Sequence, residues 1–297
     1  LDEIDKWIEE AEEVGEVAVD TETTSLDPHQ ADLVGISLCS KIGKACYIPV
    51  GHKSPKCLKK DAVIKKLKKI LEDPSIKKIG QNIKFDFIVF YKCGITLSSM
   101  EDTMLMSYVL DAGKNRHNMD TLSEIHLGHK TISFKDMVGT GKKEINFSEV
   151  ELDKAKDYAA EDADVTFRLY KKFIKNLKSE KMINIYEIFE KPLIKILAFM
   201  EIEGVEIDSK FLKSLSSKFE KKIQKLEKEV FKISKKEFNI ASPKQLGEII
   251  YNDLKIAGLK KTKKGSFATS ASVLEDLAFK GHEFPKLILD WRQVSKL

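Results

Sequence analysis

The stretch EVAVDTET, residues 16–23, decides the fold, because an apolar run ends there in two carboxylates one residue apart. In a strand, residues i and i+2 point to the same face. Asp20 and Glu22 are therefore expected to stand side by side at a strand end. Adjacent carboxylates repel each other, and a cation between them removes that repulsion. The stretch predicts a buried strand whose two carboxylates at its end would be tolerated if a cation lay between them.

The segments after this strand predict a mixed sheet. DLVGISLCS (32–40) and KACYIPV (44–50) are rich in β-formers and bounded by turn residues, so with residues 16–20 they predict three neighbouring antiparallel strands. The remaining patterns are a helix over 61–73, a short strand at KKIG (77–80), and mostly helix from Asn82 to about Ser179, with loops at 111–118 and 138–144. Strands followed by helices, with one strand inserted among them, indicate an α/β fold.

From about residue 182 onward, the sequence pattern predicts long helices. Residues 211–238 place apolar side chains at helical spacing with Lys and Glu between them, which predicts a long helix packed along one side. We therefore expect a first domain over residues 1–180 and a second over residues 181–297.

Composition narrows the class of protein. Hydrophobic residues make up 42% and charged residues 33% of the 297 positions, which is typical of a soluble globular protein with room for two domains. No run is long enough to span a bilayer, and the acidic amphipathic start does not resemble a signal peptide. Four scattered cysteines argue against zinc or disulfides and favour reduced thiols in a cytoplasmic protein. Since the chain begins without Met and ends in mid-pattern, we expect it to be a segment of a longer protein.

Positive charge is concentrated in the second half. Between residues 210 and 264 there are sixteen Lys against six acidic residues, an excess of ten, so a net charge of +4 leaves the remainder at −6. A basic region beside an acidic one suits a protein that follows a phosphate backbone with one part and holds divalent metal with the other. A solvated Lys-rich helix face explains the same run.

Two further pairs of polar residues accompany Asp20 and Glu22. Asn82 and Asp86 lie four apart at a predicted helix start, as do Tyr158 and Asp162 in a later helix, so each pair is expected on one helix face. Singly, the three stretches are better interpreted as a turn after a strand, a helix cap and a charged helix face. Together they predict one site, at which two Mg²⁺ or Mn²⁺ ions neutralise four carboxylates.

These residues carry a family resemblance. The motifs DTET (20–23), QNIKFD (81–86) and YAAEDAD (158–164) resemble the exonuclease motifs of the DEDD superfamily, in the subclass with Tyr in the third motif. Through residues 102–124 and 129–142 the match narrows to the 3′-5′ proofreading domain of bacterial family A DNA polymerases, the polymerase I family. The stretches 192–208, 238–250 and 260–278 resemble the start of the polymerase domain and its thumb, which would end here before palm and fingers.

The resemblance implies a fold and a reaction. The fold is an RNase H-like mixed five-stranded sheet flanked by helices, followed by a mainly helical partial polymerase (thumb) region. The reaction is two-metal hydrolysis at the 3′ end of single-stranded or frayed DNA, with Mg²⁺ or Mn²⁺ as cofactor. The implied partners are that 3′ end, duplex DNA at the Lys-rich thumb region and the remainder of the polymerase chain, in a cytoplasmic, nucleoid-associated setting.

The resemblance also implies roles for individual residues. Asp20 would bridge both ions, Glu22 and Asp162 would complete the ion beside the attacking water, and Asp86 would hold the ion beside the leaving group. Tyr158 would orient the water, because a phenol with a pKa near 10 is a poor base at neutral pH. The implied substrate contacts are Thr23, Leu26, Asn82, Phe85, Arg116 and Phe134. Core packing of Leu26 and Phe134, and capping of a loop by Arg116, stay open as alternatives.

Two other functions stay open. Some members of the family keep the fold as a silent DNA-binding scaffold without the carboxylates; all four acids and the Tyr are present here, so we expect an active site. An RNase D-like exoribonuclease would use the same metal ligands, and the polymerase-like second half favours DNA.

Overall fold

A computed structural model describes residues 1–256 and 267–297. They form two compact units, residues 1–204 and residues 205–297. Part of the stretch 260–278, with Lys260, Lys261, Lys263 and Lys264, lies outside the described residues. No helix in the described ranges is long and apolar enough to cross a membrane.

The first unit is built on one five-stranded mixed sheet, with strand order β3-β2-β1-β4-β5. The strands are β1 (Glu16–Thr23), β2 (Leu33–Lys41), β3 (Lys44–Pro49), β4 (Lys77–Gly80) and β5 (Met100–Asp102). The first three are antiparallel neighbours, as predicted, and β4 and β5 continue the sheet in parallel. The sequence patterns did not locate β5, because three residues are too few to display a strand period.

Strand β1 lies at the centre of the sheet, and its two edges are paired to different lengths. Its pairing with β2 continues to Thr23, whereas its pairing with β4 ends at Ala18 opposite Ile79. Residues 19–23 therefore extend past the end of β4 and have one edge open toward the helix that follows β4.

Helices cover both faces of this sheet. They are α1 (Asp2–Val14), α2 (Lys60–Glu72), α3 (Ile83–Lys92), α4 (Thr103–Asp111), α5 (Met119–Leu127), α6 (Phe134–Val138), α7 (Leu152–Ser179), α8 (Ile183–Ile185) and α9 (Lys191–Glu203). Val17 and Val19 share a buried cluster with α1, α2 and α3, while Ala18 shares one with α4 and α7. By strand alternation, Asp20 and Glu22 follow Ala18 toward α7, and Thr21 follows Val17 and Val19 toward α3.

Residues 181–204 pack with the first unit. A π-helical turn (Tyr186–Glu190) buries Tyr186 against α4 and α7, and α9 buries Ile194 and Ala198 in the cluster that contains α3. The change of compact unit thus falls after Gly204. A domain boundary at 180/181 stays a prediction.

The second unit is helical. Its helices are α10 (Ser209–Ser234), α11 (Pro243–Glu248), α12 (Ala271–Phe279) and α13 (Glu283–Ser295), with a π-helical segment at Ile249–Asp253. The long helix predicted over 211–238 corresponds to α10. The buried core of the second unit includes Val230, Leu246, Leu274 and Ile288.

Candidate active site

Three carboxylates meet at the open end of β1. Asp20 and Glu22 come from β1 and Asp162 from α7, and one oxygen of each lies within 4.8 Å of the others. Glu22 is 7% exposed and Asp162 is 4% exposed. The same-face spacing of the DTET stretch and the position of Asp162 on α7 therefore bring these three acids together, as the sequence predicts.

Burial and mutual repulsion disfavour charge on these acids. Burial raises the pKa of Asp20 to about 6. Burial, followed by repulsion from Asp20, raises the pKa of Glu22 and of Asp162 well above the ordinary values. Burial and mutual repulsion therefore make the charged form of these carboxylates more costly than it is in water, and a cation beside them would offset that cost.

Two oxygens of the trio lack a hydrogen-bond donor in the described part of the chain, as expected of groups that bind a cation. Glu22 Oε1 and Asp162 Oδ1 are buried, and neither meets a hydrogen-bond donor among the residues that the structure describes. A buried carboxylate oxygen without a donor is costly, and a divalent cation satisfies it. Carboxylate oxygens alone suit hard cations such as Mg²⁺ or Mn²⁺.

Asp86 lies near the trio, and Thr21 of β1 holds its carboxylate by hydrogen bonds. Its Oδ1 accepts hydrogen bonds from the Thr21 backbone N–H (3.0 Å) and the Thr21 hydroxyl (2.6 Å), and the residue is 2% exposed. Burial, followed by repulsion from Asp20, raises its pKa well above the ordinary value. Asp86 thus feels the same negative field, with one oxygen already engaged by β1.

Aromatic side chains flank the trio on the α7 side. Tyr158 packs against Phe147 and Phe134, with ring centroids 5.9 and 6.1 Å away, and Phe134 and Phe147 stack on each other at 6.1 Å. Burial, with added repulsion from Asp162, raises the pKa of Tyr158 above its ordinary value, so its phenol stays protonated. The position of Phe147 was not predicted from the sequence.

A cleft of about 480 Å³ opens over these groups, which is within the range of small-molecule sites. Its lining includes Asp20, Glu22, Thr23, Leu26, Asn82, Phe85, Phe134, Tyr158 and Asp162. Leu26 is 92% exposed and Phe134 is 41% exposed, so neither is a core residue. Arg116 lies on the exposed loop between α4 and α5, where the carbonyl of the adjacent His117 accepts a hydrogen bond from Gln81 (2.7 Å).

The start of α3 differs from the expected helix cap. Asn82 precedes the helix in a left-handed conformation (φ 60°), and its side chain makes no capping hydrogen bond. Instead, Asp102 at the end of β5 accepts the backbone N–H groups of Asn82 (3.2 Å) and Ile83 (3.0 Å). Asn82 and Asp86 therefore do not share one helical face, although Asn82 still reaches the cleft.

The role of Asp102 was not predicted from the sequence. The same buried carboxylate also accepts the N–H groups of Met104 (2.8 Å) and Leu105 (3.2 Å) and so caps α4. An Asp directly before an apolar helix is a recognisable N-cap signal. Its second function, holding the start of α3, joins segments twenty residues apart and is visible only in three dimensions.

Two family models match the chain. Residues 1–178 match the model described as 3′-5′ exonuclease, and residues 209–297 match the model described as DNA polymerase family A. The first match covers more than half of the chain, so the chain belongs to the 3′-5′ exonuclease family of family A DNA polymerases. The family resemblance stated from the sequence is confirmed.

Curated relatives point the same way. DNA polymerase I of Rhizobium leguminosarum is 44% identical, that of Pseudomonas aeruginosa 41% and that of Borreliella burgdorferi 35%, each over 99% of this chain. This chain covers 31%, 33% and 32% of those proteins, respectively. It thus spans about a third of the length of the curated relatives it matches.

Solved structures confirm the fold. The POL domain of Pol1 from M. smegmatis, in complex with DNA primer-template and dNTP, aligns with a TM-score of 0.79 at 23% identity, over 98% of this chain and 47% of that chain. A structure described as the apo form of a nuclease aligns with a TM-score of 0.53 at 21% identity, over 68% of this chain and 93% of that chain. The expected RNase H-like exonuclease fold with a partial polymerase region is therefore confirmed.

Proposed function

We propose that this chain is a metal-dependent 3′-5′ exonuclease that releases nucleotides from a single-stranded or frayed DNA 3′ end, as the proofreading part of a DNA polymerase. The observation that carries the proposal is the convergence of Asp20, Glu22 and Asp162 in the wall of a nucleotide-sized cleft. Membership of the 3′-5′ exonuclease family, which depends on divalent metal, supports the same reaction.

The four acids are the proposed metal ligands. Asp20, Glu22 and Asp162 would hold one ion, and Asp20 with Asp86 a second, with Mg²⁺ or Mn²⁺ as the candidates. When bound, such ions stabilise the charge that develops on the phosphate and lower the pKa of the attacking water. The protein sets the positions of the ligands by projecting them from β1 and from the two helices that pack on its opposite faces, α3 and α7.

Tyr158 is proposed to orient the attacking water. Its hydroxyl lies beside Asp162, and the raised pKa keeps it a neutral phenol over the working pH range. A neutral phenol can donate one hydrogen bond and accept another, which fixes the direction of a water molecule. It cannot remove a proton efficiently, so the role is positioning.

The rest of the cleft is suited to a nucleotide of any sequence. Exposed Leu26 and Phe134 offer apolar surfaces for a base, and such stacking is tolerant of sequence. Thr23, Asn82 and Phe85 would contact the terminal nucleotide, and Arg116 would meet the phosphate backbone from its exposed loop. A proofreading enzyme needs this tolerance because any base can be misincorporated.

Duplex DNA is the proposed partner of the second unit. Helix α10 carries eight Lys against three Glu, and all eight Lys are exposed. Exposed Lys along one long helix can follow a phosphate backbone, and such binding weakens steeply with salt. The relative from M. smegmatis was solved with DNA primer-template, which supports this assignment.

The test is digestion of a single-stranded DNA oligonucleotide with Mg²⁺ or Mn²⁺, followed by gel resolution of each shortened product from a 5′ label. We expect a ladder that starts at the 3′ end, that EDTA stops, and that is lost in Asp20→Ala and Asp162→Ala. Asp153→Ala is the matched control, because Asp153 is an exposed acid on the same helix as Asp162.

Contrary outcomes separate the rival functions. Absence of digestion with either metal would favour the silent scaffold. Faster digestion of an RNA strand of the same sequence would favour the RNase D-like exoribonuclease.

A further inference from the structure

Thr21 occupies an unusual place between two of the acids. Asp20 and Glu22 face α7, so the residue between them faces α3 by strand alternation. There Thr21 is 7% exposed, and it gives both its backbone N–H and its hydroxyl to the same oxygen of Asp86.

The sheet topology explains why the backbone of Thr21 has a donor to offer. β4 stops pairing with β1 at Ala18, so the N–H of Thr21, further along this edge, lies beyond the last residue pair with β4. A buried N–H must find an acceptor. Asp86, in the first turn of α3, supplies it to Thr21.

The hydroxyl adds what the backbone cannot. One donor leaves a carboxylate free to rotate about its Cβ–Cγ bond, whereas a second donor at 2.6 Å on the same oxygen restricts that rotation. With Oδ1 engaged twice, Oδ2 is the oxygen left for a ligand. Groups that hold a metal-ligating carboxylate in this way govern metal affinity.

We propose that Thr21 is a positioning residue of the metal site, which presents Oδ2 of Asp86 to the second cation while the trio of Asp20, Glu22 and Asp162 holds the first. This inference rests on the proposed function and deepens it. It makes the two ion positions unequal, because the trio comes from β1 and α7, whereas the second position depends on a side-chain hydrogen bond between β1 and α3.

The test is a titration with Mn²⁺, in which the electron paramagnetic resonance signal of the free ion measures binding. Digestion of single-stranded DNA is measured in parallel. Thr21→Val removes the hydroxyl at nearly constant volume and keeps the backbone donor; Thr21→Ser keeps both donors. In Thr21→Val we expect the weaker Mn²⁺ site to lose about 10- to 100-fold in affinity and the tighter site to be unchanged. Thr21→Ser is expected to restore wild-type binding.

Two controls separate positioning from a general loss of structure. Thr166→Val removes another buried hydroxyl, which contacts the Met119 sulfur at 3.4 Å, and it is expected to leave Mn²⁺ binding unchanged. In an Asp86→Ala background, Thr21→Val is expected to have no additional effect on Mn²⁺ affinity, because the hydroxyl acts through Asp86.

Two different outcomes would contradict the role of Thr21 and the proposed metal site. Equal Mn²⁺ binding by wild type and Thr21→Val would overturn the role of Thr21 and leave the exonuclease intact. Equal Mn²⁺ binding by wild type and Asp162→Ala would overturn the proposed metal site itself.

Discussion

Tyr158 shows how the surroundings of one residue limit its chemistry. The phenol is packed between Phe134 and Phe147 and faces Asp162, and both burial and the nearby carboxylate raise its pKa. A base would have to ionise in this field, and a hydrogen-bonding group would not. The position therefore favours orientation of water.

We predict that Tyr158→Phe keeps Mn²⁺ binding and lowers the digestion rate about 10- to 100-fold, because the ring still packs and only the hydroxyl is lost. The rate at saturating Mn²⁺ should show no separate ionisation of Tyr158 up to about pH 10, as a raised pKa places its deprotonation higher. Rate measurements from pH 7 to 10 on both proteins check this. A rise in rate with pH that disappears in Tyr158→Phe would identify the phenolate as a base.

At this scale, prediction from sequence succeeds where one element sets the geometry. The period of a strand is enough to align Asp20 with Glu22, and the sheet then turns both toward α7, where Asp162 lies. The contacts of Thr21 and Asp102 join different elements, so no local pattern reveals them.

At the scale of elements, the segment after α7 lies in the first compact unit, residues 1–204. The hydroxyl of Tyr186 donates to Glu101 (3.0 Å) and accepts the N–H of Asp102 (2.9 Å), and Lys191 pairs with Glu101 at 2.7 Å. Asp102 in turn holds the start of α3. This turn therefore supports the backbone that carries Asp86.

We predict that a chain ending at residue 204 unfolds cooperatively and keeps digestion of single-stranded DNA, whereas a chain ending at residue 180 is markedly less stable. The shorter chain loses buried Tyr186 and Ile194, at roughly 1.5–3 kcal/mol for each large side chain, together with the hydrogen bonds to Glu101 and Asp102. Urea unfolding of both chains measures the difference. Equal stability would mean that residues 181–204 are dispensable to the first unit.

The elements themselves were predictable to different degrees. The first four strands and α10 follow from periodicity and composition, which act over many residues. β5 is too short for such a signal. Residues 182–203 pack in clusters with α3, α4 and α7, and contacts between such distant segments leave no local pattern in the sequence.

At the scale of the whole molecule, the clustered carboxylates and the exposed Lys side chains lie in different compact units. The first unit brings three carboxylates together with a fourth, Asp86, near enough to repel them, and the second unit exposes Lys along α10. Gathering like charges works against folding, so the acid cluster should lower the stability of the metal-free protein. Asp20 matters most, because it adds to the raised pKa of Glu22, Asp86 and Asp162 alike.

The pH dependence of stability has a definite sign. The pKa of Asp20 is about 6 in the folded chain against an ordinary value of 3.8, so the folded state binds this proton more tightly than the unfolded state. This carboxyl therefore adds stability to the metal-free protein as the pH falls from about 6 toward 4, and the addition is lost as the pH rises through 6. Asp20→Asn removes it.

The most direct test of the account is thermal unfolding at neutral pH, with EDTA and with Mn²⁺, on wild type and Asp20→Asn. We predict that Asp20→Asn melts above wild type in EDTA, because repulsion is relieved. Mn²⁺ should stabilise wild type, by about 2.7 kcal/mol at a concentration one hundred times its Kd, and should have little effect on the variant. A wild-type chain that melts at the same temperature with and without Mn²⁺ would contradict the claim that these carboxylates are gathered to hold a cation.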